Sequence, residues 1–193
     1  YRNEEYVSLR DHYEPGYKEK NNSLKQGYNY VPEIEKFISC HLDTTRTFSV
    51  LDWGGDTGKN TPFYDTCEDL YIFDISNKTS GGRVKNLDSD QVCEYEYDLI
   101  VCSNVLEHIP YPLETLQNLS EAMGNETILY VELPYEKIVR NFEEGGEFSD
   151  TIGSKRHWHE HINFFTTKSV KSLMTAANLE ILEIKKLKIS GET

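Results

Sequence analysis

Short apolar runs alternate with stretches of helical period along most of this chain. That pattern predicts an α/β fold, a doubly wound and mostly parallel sheet with helices on both faces. Two blocks carry the prediction. Residues 48–51 form an apolar run that breaks into Asp52-Trp53-Gly54-Gly55-Asp56-Thr57-Gly58. Residues 99–102 are continuously apolar, as a central parallel strand covered on both faces requires.

In chain order, residues 1–30 are polar and tyrosine-rich and read as a cap or arm outside the sheet. Residues 31–193 read as one domain. Pro32 suits the first position of a helix to about residue 42, with Ile34, Phe37, Ile38 and His41 on one face. The first strand and the glycine loop follow, and Pro62 suits the start of a short helix behind them. Residues 70–74 form a second strand ending in Asp74, 22 positions after Asp52. Residues 83–87 form a weaker third strand leading into Asp88.

After the fourth strand, Pro112 opens a helix with Leu113, Leu116, Leu119 and Met123 on one face, ended by Gly124. Residues 127–133 form the fifth strand. Residues from 135 to about 160 are polar, without a core pattern, and read as an insertion or lid. Thr166 or Thr167 caps a helix that turns Val170, Leu173, Met174 and Ala177 inward. Residues 179–189 have the pattern of a sixth strand. No stretch identifies itself as a seventh.

Composition narrows the function. With 193 residues, 37% hydrophobic and 27% charged, the chain can bury a core and is not of disordered type. A net charge of −13 argues against nucleic acid as the main partner, because such binding needs clustered Lys and Arg. No apolar run approaches the ~20 residues of a membrane span, and no signal peptide opens the chain. The four cysteines form no C-x-x-C pair, which fits reduced thiols in the cytoplasm. Nothing in the sequence sets the oligomeric state.

The glycine loop is the first functional signal. A strand that breaks into glycines brings main chain close to a nucleotide-like ligand. The spacing is G-G-x-x-G rather than the G-x-G-x-x-G of dinucleotide sites, which disfavours a nicotinamide-dependent oxidoreductase. The loop resembles motif I of the class I S-adenosylmethionine (SAM)-dependent methyltransferases, matched at Asp52, Gly54 and Gly58. Asp56 stands where that family usually has its middle glycine. The block Tyr97-Asp98-Leu99-Ile100-Val101 followed by Val105-Leu106-Glu107-His108 closely resembles the fourth-strand motif of small-molecule methyltransferases.

The resemblance implies a Rossmann-like fold with SAM as cofactor and S-adenosylhomocysteine (SAH) as product. It places the cofactor against Asp52, Gly54, Gly55, Asp56, Gly58, Asp74, Ile75, Leu87, Asp88, Ser103, Asn104 and His108. Asp74 takes the position of the ribose-binding acid. The acceptor is expected to be small and polar, such as a hydroxyl of a sugar or nucleotide-linked sugar. The alternative is a SAM-binding module without catalysis, with a regulatory or interaction role.

A hydroxyl acceptor also needs its proton removed, and histidine suits that near neutral pH. The candidates lie in His157-Trp158-His159-Glu160-His161, followed by Ile162-Asn163-Phe164-Phe165. This stretch resembles a motif of methyltransferase families that include sugar and other small-molecule enzymes. His161 is the preferred base, with His159 or Glu160 as helper and His108 as an outside candidate on the opposite rim. That reading uses no metal. Two others stay open: His157, His159 and His161 share one face if extended and then suit a metal, or the histidines are structural.

Overall fold

The computed structural model describes residues 30–76, 81–145 and 161–187. The expected arm, apart from Tyr30, lies outside the described residues, as do the lid from 146 to 160 and the chain beyond 187.

Five parallel strands form one sheet: β1 (Ser49–Trp53), β2 (Asp69–Phe73), β3 (Val84–Leu87), β4 (Leu99–Ser103) and β5 (Ile128–Glu132). Their order is β3-β2-β1-β4-β5. The first three strands build outward from β1 in one direction, and β4 and β5 build from its other side. The switch point lies between β1 and β4, where Asp52 pairs with Val101. β4 explains its own centrality: Leu99, Ile100 and Val101 are shut from solvent on both faces. Each contributes roughly 1.5–3 kcal/mol of burial.

Helices cover both faces. Ile34 and Ile38 of α1 (Val31–Ile38) pack with Val50, Leu70 and Val101 on one side. On the other, Leu116 and Leu119 of α2 (Pro112–Glu121) pack with Leu51 and Ile100. Met174 of α4 (Thr167–Ala176) joins that second core. Thr166 caps α4 as expected, its Oγ1 accepting the Ser169 amide at 3.0 Å while Ser169 Oγ accepts the Thr166 amide at 2.9 Å. No helix of the described residues is long and apolar enough to cross a membrane.

Three expectations need correction. No helix follows the glycine loop; residues 56–67 form linked turns. Phe63 sits at φ +60°, which stops a right-handed helix just after Pro62. Side chains satisfy the backbone instead. Glu35 Oε1 accepts the Phe63 amide at 2.7 Å. Arg83 donates to the Tyr64 carbonyl at 2.7 Å, to that of Glu68 at 2.8 Å and to that of Cys67.

The second correction lies inside the presumed lid, where α3 (Lys137–Glu143) forms and buries Val139. The third concerns the sixth strand. Residues 179–187 have no ladder, and Ile181, Leu182 and Ile184 are exposed. The alternation that suggested a strand is there, but no backbone among the described residues pairs with it. Side chains hold the segment: Glu183 meets His41 at 3.0 Å, and Lys186 Nζ donates to Tyr135 and Glu143.

Candidate functional site

Because all five strands are parallel, their carboxyl ends share one edge of the sheet. The glycine loop leaves β1 there, Asp74 leaves β2, Asp88 leaves β3, Asn104 leaves β4 and Glu132 ends β5.

The loop folds as glycine would dictate, including where glycine is missing. Gly54 and Gly58 have φ of +86° and +77°, and Asp56 adopts +49°. Aspartate tolerates this left-handed region better than most residues. The Asp56 amide then donates to Asp74 Oδ2 at 2.9 Å, while the Ser76 amide donates to Oδ1 at 2.7 Å. Two amides therefore orient the acid that ends β2, one from the loop of β1 and one from just past Ile75. At the position of the departure from motif I, Asp56 thus takes a left-handed turn and ties the loop to Asp74.

Close approach in the loop is to protein as well as to any ligand. A Cβ on Gly54 would lie 2.6 Å from Val105 Cγ2, and one on Gly55 would lie 2.6 Å from the Asp52 carboxyl carbon. Asp52 itself is buried, and Thr61 Oγ1 donates to its Oδ2 at 2.5 Å. Burial pushes its pKa up to about 6 against the help of Thr61, and the nearby Asp74 charge pushes the same way. Lys59, next after Gly58, holds its Nζ out of solvent with no hydrogen-bond partner among the described residues.

At β3, Leu87 is buried in the core and Asp88 is exposed, with its amide bonded to Gln91 Oε1 at 2.9 Å. At β4, Ser103 Oγ donates to Glu132 Oε2 at 2.7 Å, and Asn104 sits at φ +53° with its amide on the Glu132 carbonyl at 3.0 Å.

The short 3-10 turn Leu106–His108 follows at once. Here the geometry differs most from the sequence reading. His108 and His161 are not on opposite rims; their rings meet edge to face with centroids 4.8 Å apart. Asn163 brings them together. Its Nδ2 donates to the Leu106 carbonyl at 3.0 Å and the Ile109 carbonyl at 2.5 Å. The amides of Ile162 and Asn163 both donate to the Glu107 carbonyl, at 2.9 and 3.0 Å.

His161 has a partner that the sequence did not suggest: its Nδ1 lies 2.9 Å from Glu136 Oε1. Glu136 immediately precedes α3, so the helix inside the insertion positions it. The proposed helpers His159 and Glu160, and His157, lie outside the described residues. Glu107 was also missed. Its side chain is 1% exposed, and neither carboxylate oxygen has a hydrogen-bond partner among the described residues. Burial pushes its pKa up to about 7. The only sequence signal for Glu107 was its place in the fourth-strand motif, and a lone glutamate before a histidine does not announce that it is buried.

Solved structures share this fold at low identity. The plantazolicin methyltransferase BpumL in complex with SAH is 21% identical over 73% of this chain and 60% of its own, with a TM-score of 0.51. An O-methyltransferase family protein from Burkholderia thailandensis is 14% identical over 81% of this chain and 54% of its own, at 0.52. The [4+2]-cyclase SpnF is 14% identical over 78% of this chain and 57% of its own, also at 0.52. This chain thus spans less than two thirds of the length of each. A methyltransferase domain family model matches residues 14–184, and the chain belongs to that family.

Proposed function

We propose that this chain is a SAM-dependent methyltransferase whose acceptor is a hydroxyl on a small polar molecule, a sugar or nucleotide-linked sugar fitting best. The observation that carries the reading is the pairing of two sites along one edge. At the switch point lies the glycine loop, and next to it, at the end of β2, an Asp74 held by two amides. Beside it lies a histidine held by a carboxylate.

The first site fits the cofactor. The main chain at Gly54, Asp56 and Gly58 turns through positive φ, which allows close approach of a ligand. The two amide bonds orient Asp74, and a carboxylate is the acceptor type that ribose hydroxyls need. Ile75, Leu87 and Asp88 are assigned to the adenosine side, and Ser103 and Asn104 to the side where β4 ends. Bound SAM supplies a methyl group already activated by its sulfonium.

The second site fits a base. If Glu136 accepts the His161 Nδ1 proton, Nε2 carries the lone pair that removes a hydroxyl proton. Glu136 therefore takes the orienting role first given to Glu160 or His159. SpnF carries its cyclase name on a like fold, so fold alone does not imply methyl transfer. The alternative of a non-catalytic SAM-binding module loses one motive here, because Asp56 takes a positive φ of +49°, a region that glycine favours. The −13 charge supports a partner other than nucleic acid, and four free thiols support a reducing, cytoplasmic setting.

Thermal-shift screening with SAM, SAH and NAD tests the cofactor, since a ligand of the native state raises stability by RT ln(1 + [L]/Kd). A shift with NAD alone would overturn the reading. His161→Ala should leave SAM affinity near wild type and lower turnover on the acceptor at least ~100-fold. Unchanged turnover would make His161 structural.

A further inference from the structure

Glu107 presents a problem that the methyl-transfer reading does not solve. A carboxylate that is 1% exposed and lacks any hydrogen-bond partner among the described residues is costly, and a native structure tolerates one only for a reason. Its surroundings suggest one. His108 Nε2 lies 3.7 Å from Oε1. One ligand atom each from Glu107, His108 and His161 lies within 4.8 Å of the others. Three elements far apart in sequence converge here: Glu107 and His108 share the turn after β4, His161 follows the insertion, and Glu136 precedes α3.

We propose that Glu107, His108 and His161 bind one divalent cation of the first transition series. His161 meets Glu136 through Nδ1, which leaves Nε2 to the metal. A carboxylate behind a ligating imidazole fixes its ring and tautomer and raises its basicity. Two imidazoles and one carboxylate suit Mn²⁺, Fe²⁺, Co²⁺ or Zn²⁺ better than Mg²⁺, which prefers oxygen donors.

The dimensions are compatible. Bonds of about 2.1 Å place neighbouring ligands roughly 3–3.4 Å apart. The Glu107–His108 pair at 3.7 Å is nearly there, and modest side-chain rotation draws in the rest. Three protein ligands leave open positions for a substrate oxygen.

The site is also placed to act. Val105, two residues before Glu107, is the side chain that would meet a Cβ at Gly54, so the cation would sit beside the glycine loop. The role that follows rests on the proposed methyl transfer. Coordination lowers the pKa of a bound hydroxyl, so with the cation in place the acceptor oxygen would be activated by the metal and lose its proton to water. His161, with Nδ1 on Glu136 and Nε2 on the cation, would then serve as a ligand in place of a base. The metal binding itself stands on Glu107, His108 and His161 alone. It also differs from the alternating-histidine site, which needs His157 and His159.

The test is titration of chelator-stripped protein with Co²⁺, followed by visible absorption and equilibrium dialysis. One Co²⁺ per chain is expected, with ligand-field bands that Glu107→Gln and His161→Ala each weaken or shift, and affinity lowered at least ~10-fold in both. The paired variant His157→Ala/His159→Ala should keep the wild-type spectrum. No uptake by the wild type would overturn the proposal. So would equal uptake by Glu107→Gln and His161→Ala, or loss of uptake in the His157/His159 pair. If Glu107→Gln does not fold, as judged by its melting curve, His161→Ala carries the same decision. Displacement of Co²⁺ by equimolar Mg²⁺ would overturn the choice of a transition ion. A SAM thermal shift on the same stripped protein reports separately on the methyltransferase reading.

Discussion

Asp52 makes the folded state sensitive to pH in an unusual direction. Its carboxylate is buried at the end of β1, and burial raises its pKa from the ordinary carboxylate range to about 6. The native state therefore holds this proton more tightly than the unfolded chain does. Stability from this group is fully present below the unfolded pKa and is lost as pH rises through the folded one. Between about pH 4.5 and pH 7.5 the loss comes to roughly 2 kcal/mol, from the two titration curves and 1.36 kcal/mol per unit. Asp52→Asn keeps the shape and an oxygen for Thr61 but cannot ionise.

Denaturant unfolding of both proteins at the two pH values isolates the effect, since other groups titrate alike in each. Over that interval the wild type should lose roughly 2 kcal/mol more than Asp52→Asn. Equal losses would mean that Asp52 ionises in the fold as it does in water, and that its burial has been misjudged.

Three further outcomes follow from the same edge of the sheet. Gly54→Ala should destabilise by ~1–2 kcal/mol from its positive φ alone, and by more from the Val105 contact at 2.6 Å; adding Val105→Ala should restore only the second part, as melting curves can show. Asp74→Ala should weaken SAM binding by roughly 1.5–3 kcal/mol in calorimetry, and unchanged affinity would remove Asp74 from the site. Asn163→Ala deletes two hydrogen bonds to the 106–109 turn, so it should cost about 2 kcal/mol and lower turnover with little change in SAM affinity; turnover at the wild-type level would mean that the turn holds its shape without Asn163.

The sheet was legible because strand signals are local. Four apolar residues at 99–102 with turn chemistry on either side leave few alternatives, and β4 forms there with one residue added. The helix after the glycine loop was not legible, because its absence depends on distant groups. Glu35 and Arg83 satisfy the backbone of residues 63–68, and nothing near Pro62 announces either. The expected sixth strand has no ladder over 179–187 among the described residues, for the complementary reason. Alternation at 181–184 states a preference, whereas a strand also needs a neighbour to pair with.

At the site, the residues that end strands could be read and those that join elements could not. Asp74 was placed by its distance from Asp52, and the contact through the Asp56 amide follows from that placement. Nothing in residue spacing could link His108 to His161, which lie 53 positions apart in the chain. The link lies in the other residues of the two motifs. Asn163 lends its amide to the carbonyls of Leu106 and Ile109, and the backbone after His161 bonds to that of Glu107. The E-H-I-N-F-F stretch and the L-E-H turn are therefore two halves of one structure, with Phe165 buried in the core as its anchor. Read separately, each half offers a histidine of uncertain purpose. Joined, they enclose a buried carboxylate, two imidazoles and an orienting Glu136, an arrangement that packing alone does not require.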